Sequence, residues 1–179
     1  MTKLFTLILC LWATSAGAFP GGFLAMSTGG ATTCTSTSII SQTQRNGTSD
    51  LAGTYKTIGQ SFTQPTGKTS IHSIKFYVDS ASGSTINMRL GDSADLSSTY
   101  LTSKSQTSVA GENEFVIDYS GLTAGNTYYI LFTGTGVISR YTSASVYAGG
   151  IYRYGEFANF NANQSLPAHE LYFEVTECQ

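Results

Sequence analysis

Apolar and polar side chains alternate with a period of two along most of this chain, and the longer period of an amphipathic helix hardly appears. In SIKFYVD (73–79), Ile74, Phe76 and Val78 fall on one face, with Ser73, Lys75 and Tyr77 on the other. In TINMRLG (85–91) the apolar set is Ile86, Met88 and Leu90, against Asn87 and Arg89. In HELYFEVTEC (169–178), Leu171, Phe173 and Val175 alternate with Glu170, Tyr172, Glu174 and Thr176. Each stretch reads as a half-buried strand with one wet face. Further strands are predicted at 35–41, 58–63, 114–119, 127–133, 137–142 and 145–154.

Turn signals separate these strands: Asn46-Gly47, Ser82-Gly83, Gly111-Glu112-Asn113, Ala124-Gly125-Asn126 and Gly134-Thr135-Gly136. The prolines fit the layout. Pro20 precedes the first strand, Pro65 follows a strand and Pro167 precedes the last, so none interrupts a ladder. Short strands at this spacing predict an all-β fold: a two-sheet antiparallel β-sandwich of jelly-roll type, with a barrel as the alternative. Only 93–101 and 155–161 leave room for a helical turn.

The N-terminus changes the picture of the rest. MTKLFTLILCLWATSAGA has one lysine, an apolar run and a small-residue ending at Ala16-Gly17-Ala18. That is the order of a secretory signal peptide over 1–18, cleaved before Phe19. Its apolar run of about 10 residues is too short to span a bilayer core of roughly 30 Å. A secreted protein, extracellular or at the cell surface, is therefore expected. Residues 19–33, rich in Gly and Thr, read as a flexible N-terminal arm, and 34–178 as the β-sandwich domain.

Cleavage would remove Cys10 and Trp12 and leave Cys34 and Cys178. In an oxidising compartment such a pair predicts a disulfide more readily than a metal site. The bond would tie the first strand to the last, with a chain-entropy contribution of about 5 kcal/mol.

Loss of Lys3 takes the formal charge from −2 to −3. Without a basic run, neither nucleic acid nor an anionic membrane is an expected partner. Charged residues make up only 11% of the chain, so solubility rests on hydroxyls and amides. That composition suits a binding or assembly protein more than a cytosolic enzyme.

The phrases IGQSFTQP (58–65), LTAGNTYYILFTG (122–134), YAGGIYRYG (147–155) and ELYFEV (170–175) resemble secreted bacterial jelly-roll modules of the choice-of-anchor type. Those modules are similar in turn to carbohydrate-binding β-sandwiches. The likeness covers roughly residues 58–176. It implies a non-catalytic extracellular module, displayed or released. The chain stops at Cys178-Gln179 without the sorting tail of that group, so free secretion or non-covalent assembly is expected.

Candidate chemistry centres on SVYAGGIYRYGEFANF (145–160), with five aromatic rings and three glycines. Tyrosine offers a sugar an apolar face and a hydroxyl. Tyr141, Tyr147, Tyr152, Tyr154 and Phe157 are the candidate platform, with Arg153, Glu156, Asn159 and Asn161 for sugar hydroxyls. The structural alternative is a bend at Gly149-Gly150 whose rings pack on the core. A mature chain without tryptophan points to weak sites used multivalently.

Other sites weigh less. Gly91-Asp92-Ser93 has the look of a GDSL-type nucleophile block, but no Asp stands three residues before His169, and a polar turn is expected instead. Asp92 and Asp95 are a calcium candidate that would need further oxygens, for instance from Asp118. His72 and His169 read as strand-end residues, and no cofactor is implied. Asn46-Gly47-Thr48 and Asn163-Gln164-Ser165 are glycosylation sequons that matter only in a glycosylating host. The expected function is non-catalytic binding of a glycan or polysaccharide, in adhesion or as a carbohydrate-binding module. The alternative is a structural subunit of an extracellular fibre or matrix, self-assembling through the arm onto an open sheet edge.

Overall fold

The structure, a computed structural model, describes residues 35–50, 57–81, 83–134, 137–142, 147–156, 158–165 and 168–178. Every described strand belongs to the unit Cys34–Gln179. The expected signal peptide and arm lie outside the described residues, as does Cys34.

The fold is all-β, in two antiparallel sheets. The first holds β1 (Ser36–Gln42), β2 (Gly47–Asp50), β4 (Ser70–Ala81), β7 (Gly111–Ser120), β9 (Val137–Thr142), β12 (Glu170–Leu171) and β13 (Phe173–Cys178). The second runs in the order β11 (Gln164–Ser165), β10 (Tyr152–Gly155), β3 (Thr57–Thr63), β8 (Thr127–Gly134), β5 (Thr85–Gly91) and β6 (Thr102–Thr107). In the first sheet β4 is the long central strand. It pairs with β7 on one side, and with β13 and then β9 on the other.

Alternation puts the apolar set of each strand between the sheets. Ile74, Phe76 and Val78 of β4 meet Ile86, Met88 and Leu90 of β5, with Phe173 and Val175 of β13, in one buried cluster. Phe76 stacks on Phe132 of β8 with ring centroids 4.3 Å apart. Burying each such side chain contributes about 1.5–3 kcal/mol. Polar cross-links occur as well. The buried Gln60 amide accepts from Leu171 N at 3.2 Å and donates to Ser61 O at 3.2 Å, tying the second sheet to the first.

The second sheet is also covered on its outer side. Residues 92–101 fold back onto the end of β5 and bind the segment after β10, whose Phe160 lies against Gly59 of β3 and Tyr129 of β8. Leu96 N donates to Ala158 O at 3.0 Å, and Phe160 N to Ala94 O at 2.7 Å. Leu96, Leu131 and Phe160 are buried beneath this cover. Small residues make room for it. A side chain at Gly59 would collide with the Ile130 carbonyl of β8 and press on Leu131 and Phe160, and one at Gly91 would collide with Leu96.

Several expectations are corrected. Among the described residues, the strand expected at 145–154 is only Tyr152–Gly155, because Tyr147–Gly150 form a turn packed on Ser61. The last strand is split at Tyr172 into β12 and β13. Strand β6, TSKSQT, has no apolar alternation to reveal it, since it is an exposed edge strand of the second sheet. The room for a helical turn near 155–161 is filled by a single 3-10 turn, Phe160–Ala162, with Asn159 Oδ1 accepting from Asn161 N at 3.0 Å.

Candidate functional site

Strand β10 sorts the aromatic stretch by parity. Tyr152 faces the core and is only 1% exposed. Tyr154 shares that face at the core's margin, its ring 6.1 Å from that of Tyr152, and its hydroxyl donates to Gln164 Oε1 at 2.9 Å. Tyr147 stands edge-on to Phe173 at 5.5 Å. Its hydroxyl accepts from Thr63 N at 3.2 Å, its backbone N donates to Glu170 Oε2 at 2.6 Å, and burial pushes its phenol up.

Arg153 points to the opposite side of β10. Its guanidinium lies 5.5 Å from the Phe160 ring centre and donates to Asn161 O at 3.1 Å and Asn163 O at 2.8 Å. It acts as a strut for the turn beneath it. Glu156 is exposed. Phe157 and the Tyr141 side chain lie outside the described residues. Among the described members, Tyr152 is shut off from any ligand and Tyr147 and Tyr154 are largely committed to packing.

A second aromatic surface, which sequence reasoning missed, lies on the outer side of the second sheet. Arg89 projects outward from β5, and its guanidinium sits 5.1 Å from the ring centre of Tyr100, which is 41% exposed. Arg89 Nη1 donates to Leu96 O at 2.6 Å, so the backbone of the covering segment holds the cation in place. Beside it, Ser105 Oγ of β6 donates to Asn87 Oδ1 of β5 at 2.6 Å. The alternation of TINMRLG put Asn87 and Arg89 outward, but nothing local brings Tyr100 back onto that face. The covering segment separates this surface from Arg153 on the far side.

Within that segment, Asp95 is a turn residue. Its Oδ1 accepts from Ser97 N at 3.0 Å and from Ser97 Oγ at 2.6 Å, and the Ser97 hydroxyl bond lowers the carboxyl's pKa. Ser93 Oγ accepts from Asp95 N at 3.3 Å, which makes the GDS sequence a polar turn. Asp118, the carboxylate weighed as a third calcium ligand, belongs to β7 of the other sheet.

Among the described residues, one group of three side chains has the proximity to hold a metal: His72, Asp118 and Cys178, with ligand atoms all within 4.8 Å of one another. They line a recess of about 190 Å³ together with Ser70, Ile71, Tyr119 and Ser120. The pairing of β4 with β7 slips between Ile71 and Ser73, and Asp118 sits at this bulge with φ 46°. The left-handed backbone aims its carboxylate at His72, whose Nδ1 lies 2.6 Å from Asp118 Oδ1. Cys178, at the end of β13, carries no titrating thiol.

The two sequons differ. Asn46 is exposed, whereas Asn163 is 5% exposed and its Nδ2 donates to Thr57 Oγ1 at 3.1 Å. A glycan on Asn163 would have to break that buried bond. His169 is partly exposed, just ahead of β12.

No protein-family model matches the chain, and no curated protein matches it.

Proposed function

We propose that the protein is a secreted, non-catalytic β-sandwich module that binds a glycan or polysaccharide. The observation that carries this reading is the exposed Tyr100 ring beside the anchored Arg89 guanidinium, next to the Asn87–Ser105 pair. A ring face for C–H contact, with amide, hydroxyl and guanidinium groups alongside, is the chemistry that takes up a sugar. Arg153, on the outer side of β10, and the exposed Glu156 extend the reading as a secondary contact on the far side of the covering segment.

The architecture is of jelly-roll type in this reading, supported by a chain that crosses between sheets at nearly every connection from β2 to β12. Cys178 is disulfide-bonded, and we assign its partner as Cys34, two residues before Ser36, which pairs with Cys178 in the β1–β13 ladder. Secretion would make that bond durable.

A glycan array probed with residues 19–179, followed by titration of any hit, tests the proposal. Saturable binding that falls at least about tenfold in Tyr100→Ala, with unchanged melting temperature, supports it. Absence of binding, or equal binding by the variant, refutes this site. The rival reading, a fibre or matrix subunit, draws on β6, an edge strand whose only charge is Lys104 and which contains no proline. Polymerisation of residues 19–179 that persists without residues 19–33 would remove the arm from that reading.

A further inference from the structure

The recess at His72 combines three features that the packing of the sandwich does not require. It brings together a nitrogen, a carboxylate oxygen and a sulfur from three neighbouring strands, β4, β7 and β13. It contains the only residue other than glycine with positive φ among the described residues, Asp118. And its carboxylate–imidazole pair, at 2.6 Å, is partly open to solvent rather than buried as a core tie.

The Asp118 carboxylate lies on His72 Nδ1 at 2.6 Å, so two of the three ligand atoms already face one another. Zinc-like cations take imidazole nitrogen, carboxylate oxygen and thiolate sulfur in four-coordinate sites, three protein ligands leaving one position for water. The missing element is the thiolate, because the Cys178 sulfur is held in a disulfide, and a thiolate is the form that ligates metals.

We propose that reductive opening of the Cys178 disulfide creates a binding site for a zinc-like divalent cation, formed by His72, Asp118 and the freed Cys178. In the opening step an external dithiol attacks the disulfide. The protein's S–S bond breaks, two protein thiols form, and the dithiol leaves oxidised as its own disulfide. The Cys178 thiol then loses its proton to solvent as the cation binds. The exposed Asp118 carboxylate turns to admit the cation between itself and the imidazole. While the disulfide stands, the site is closed, so cation capture reports reducing conditions. This inference rests on the Cys178 disulfide and is independent of the glycan reading.

The test uses residues 19–179 and cobalt(II) as the optical probe. In dithiol-reduced protein, a thiolate-to-cobalt charge-transfer band with the visible bands of tetrahedral cobalt is expected, saturating at one cation per chain and displaced by zinc. Oxidised protein should give no such band. His72→Ala should weaken binding by about tenfold or more. Cys34→Ser, which leaves Cys178 as a thiol without any reductant, should give the same band.

Circular dichroism on the same samples guards the interpretation. A folded, reduced chain without the charge-transfer band overturns the proposal, and so does a band unchanged in His72→Ala. Loss of the fold in both the reduced protein and Cys34→Ser also overturns it, because the three ligands meet only while β4, β7 and β13 stay in register.

Discussion

A side chain at Gly150 would run into the carbonyl of Ser61, because the two segments are locked together there. Ser61 N donates to Ile151 O at 3.0 Å, and Ile151 N donates to Ser61 Oγ at 2.8 Å. Gly150 thus marks a close approach of two backbones, whereas a side chain at Gly149 would meet the Tyr147 ring. Gly150→Ala should cost about 1–3 kcal/mol by overpacking, read as a lowered denaturation midpoint. Gly67→Ala, at φ 76° with open space around it, is the comparison that isolates backbone strain and should cost about 1 kcal/mol.

Three tyrosines should respond according to their burial. Tyr152→Ala empties a core position and should destabilise by about 3–5 kcal/mol. Tyr100→Ala, at an exposed ring, should stay within about 0.5 kcal/mol of the parent. Tyr154→Ala should fall between. Chemical denaturation of the three variants checks the order, and a large loss in Tyr100→Ala would show that this ring packs instead of binding.

The Tyr172 phenol is pushed up to about 12, first by burial and then by its hydrogen bond to Glu112 Oε1 at 2.5 Å. Its ring also packs on Tyr77, with Arg45 over both. An unfolded tyrosine ionises near 10. The folded pKa is the higher one, so the neutral form favours the fold. This stability is fully present below about pH 10 and is lost as pH rises towards 12. Phenolate absorbance should show a late-titrating phase that shrinks by one tyrosine in Tyr172→Phe, with the buried Tyr147 still contributing to it, and that variant should lose less stability between pH 10 and 12.

Phe160 pins the cover on the outer side of the second sheet, between Tyr129 at 5.2 Å and the Arg153 guanidinium. Phe160→Ala should release residues 92–101 while β3 and β8 stay paired. Hydrogen exchange should then quicken at Leu96 and Phe160's backbone neighbours and remain slow at Ile58 and Ile130. Uniform acceleration would mean that the cover is integral to the core.

The strands with one wet face were legible from alternation alone. Ile74, Phe76 and Val78, and Ile86, Met88 and Leu90, are all buried as their parity requires. A side chain in a strand reports its own face, so no distant information is needed. The edge strand β6 was hidden because neither of its faces packs on the core. Phe160 was hidden because its partners, Gly59 and Tyr129, lie on other strands, and Leu96 because the segment after β5 has to fold back onto Gly91.

The candidate sites divide in the same way. Parity placed Tyr152 and Tyr154 on one face, but whether that face was core or surface depended on which sheet lay above it. Tyr100 meets Arg89 because the segment after β5 folds back, and His72 meets Asp118 through a bulge that slips the register by one residue. Alternation along the chain therefore determined the all-β class and the inner face of each regular strand, since period and parity are local properties. Tertiary structure alone decided which rings are enclosed, which aromatic is exposed, and which nitrogen, oxygen and sulfur stand together. Those relations are set by strand order and register, which join residues far apart in sequence.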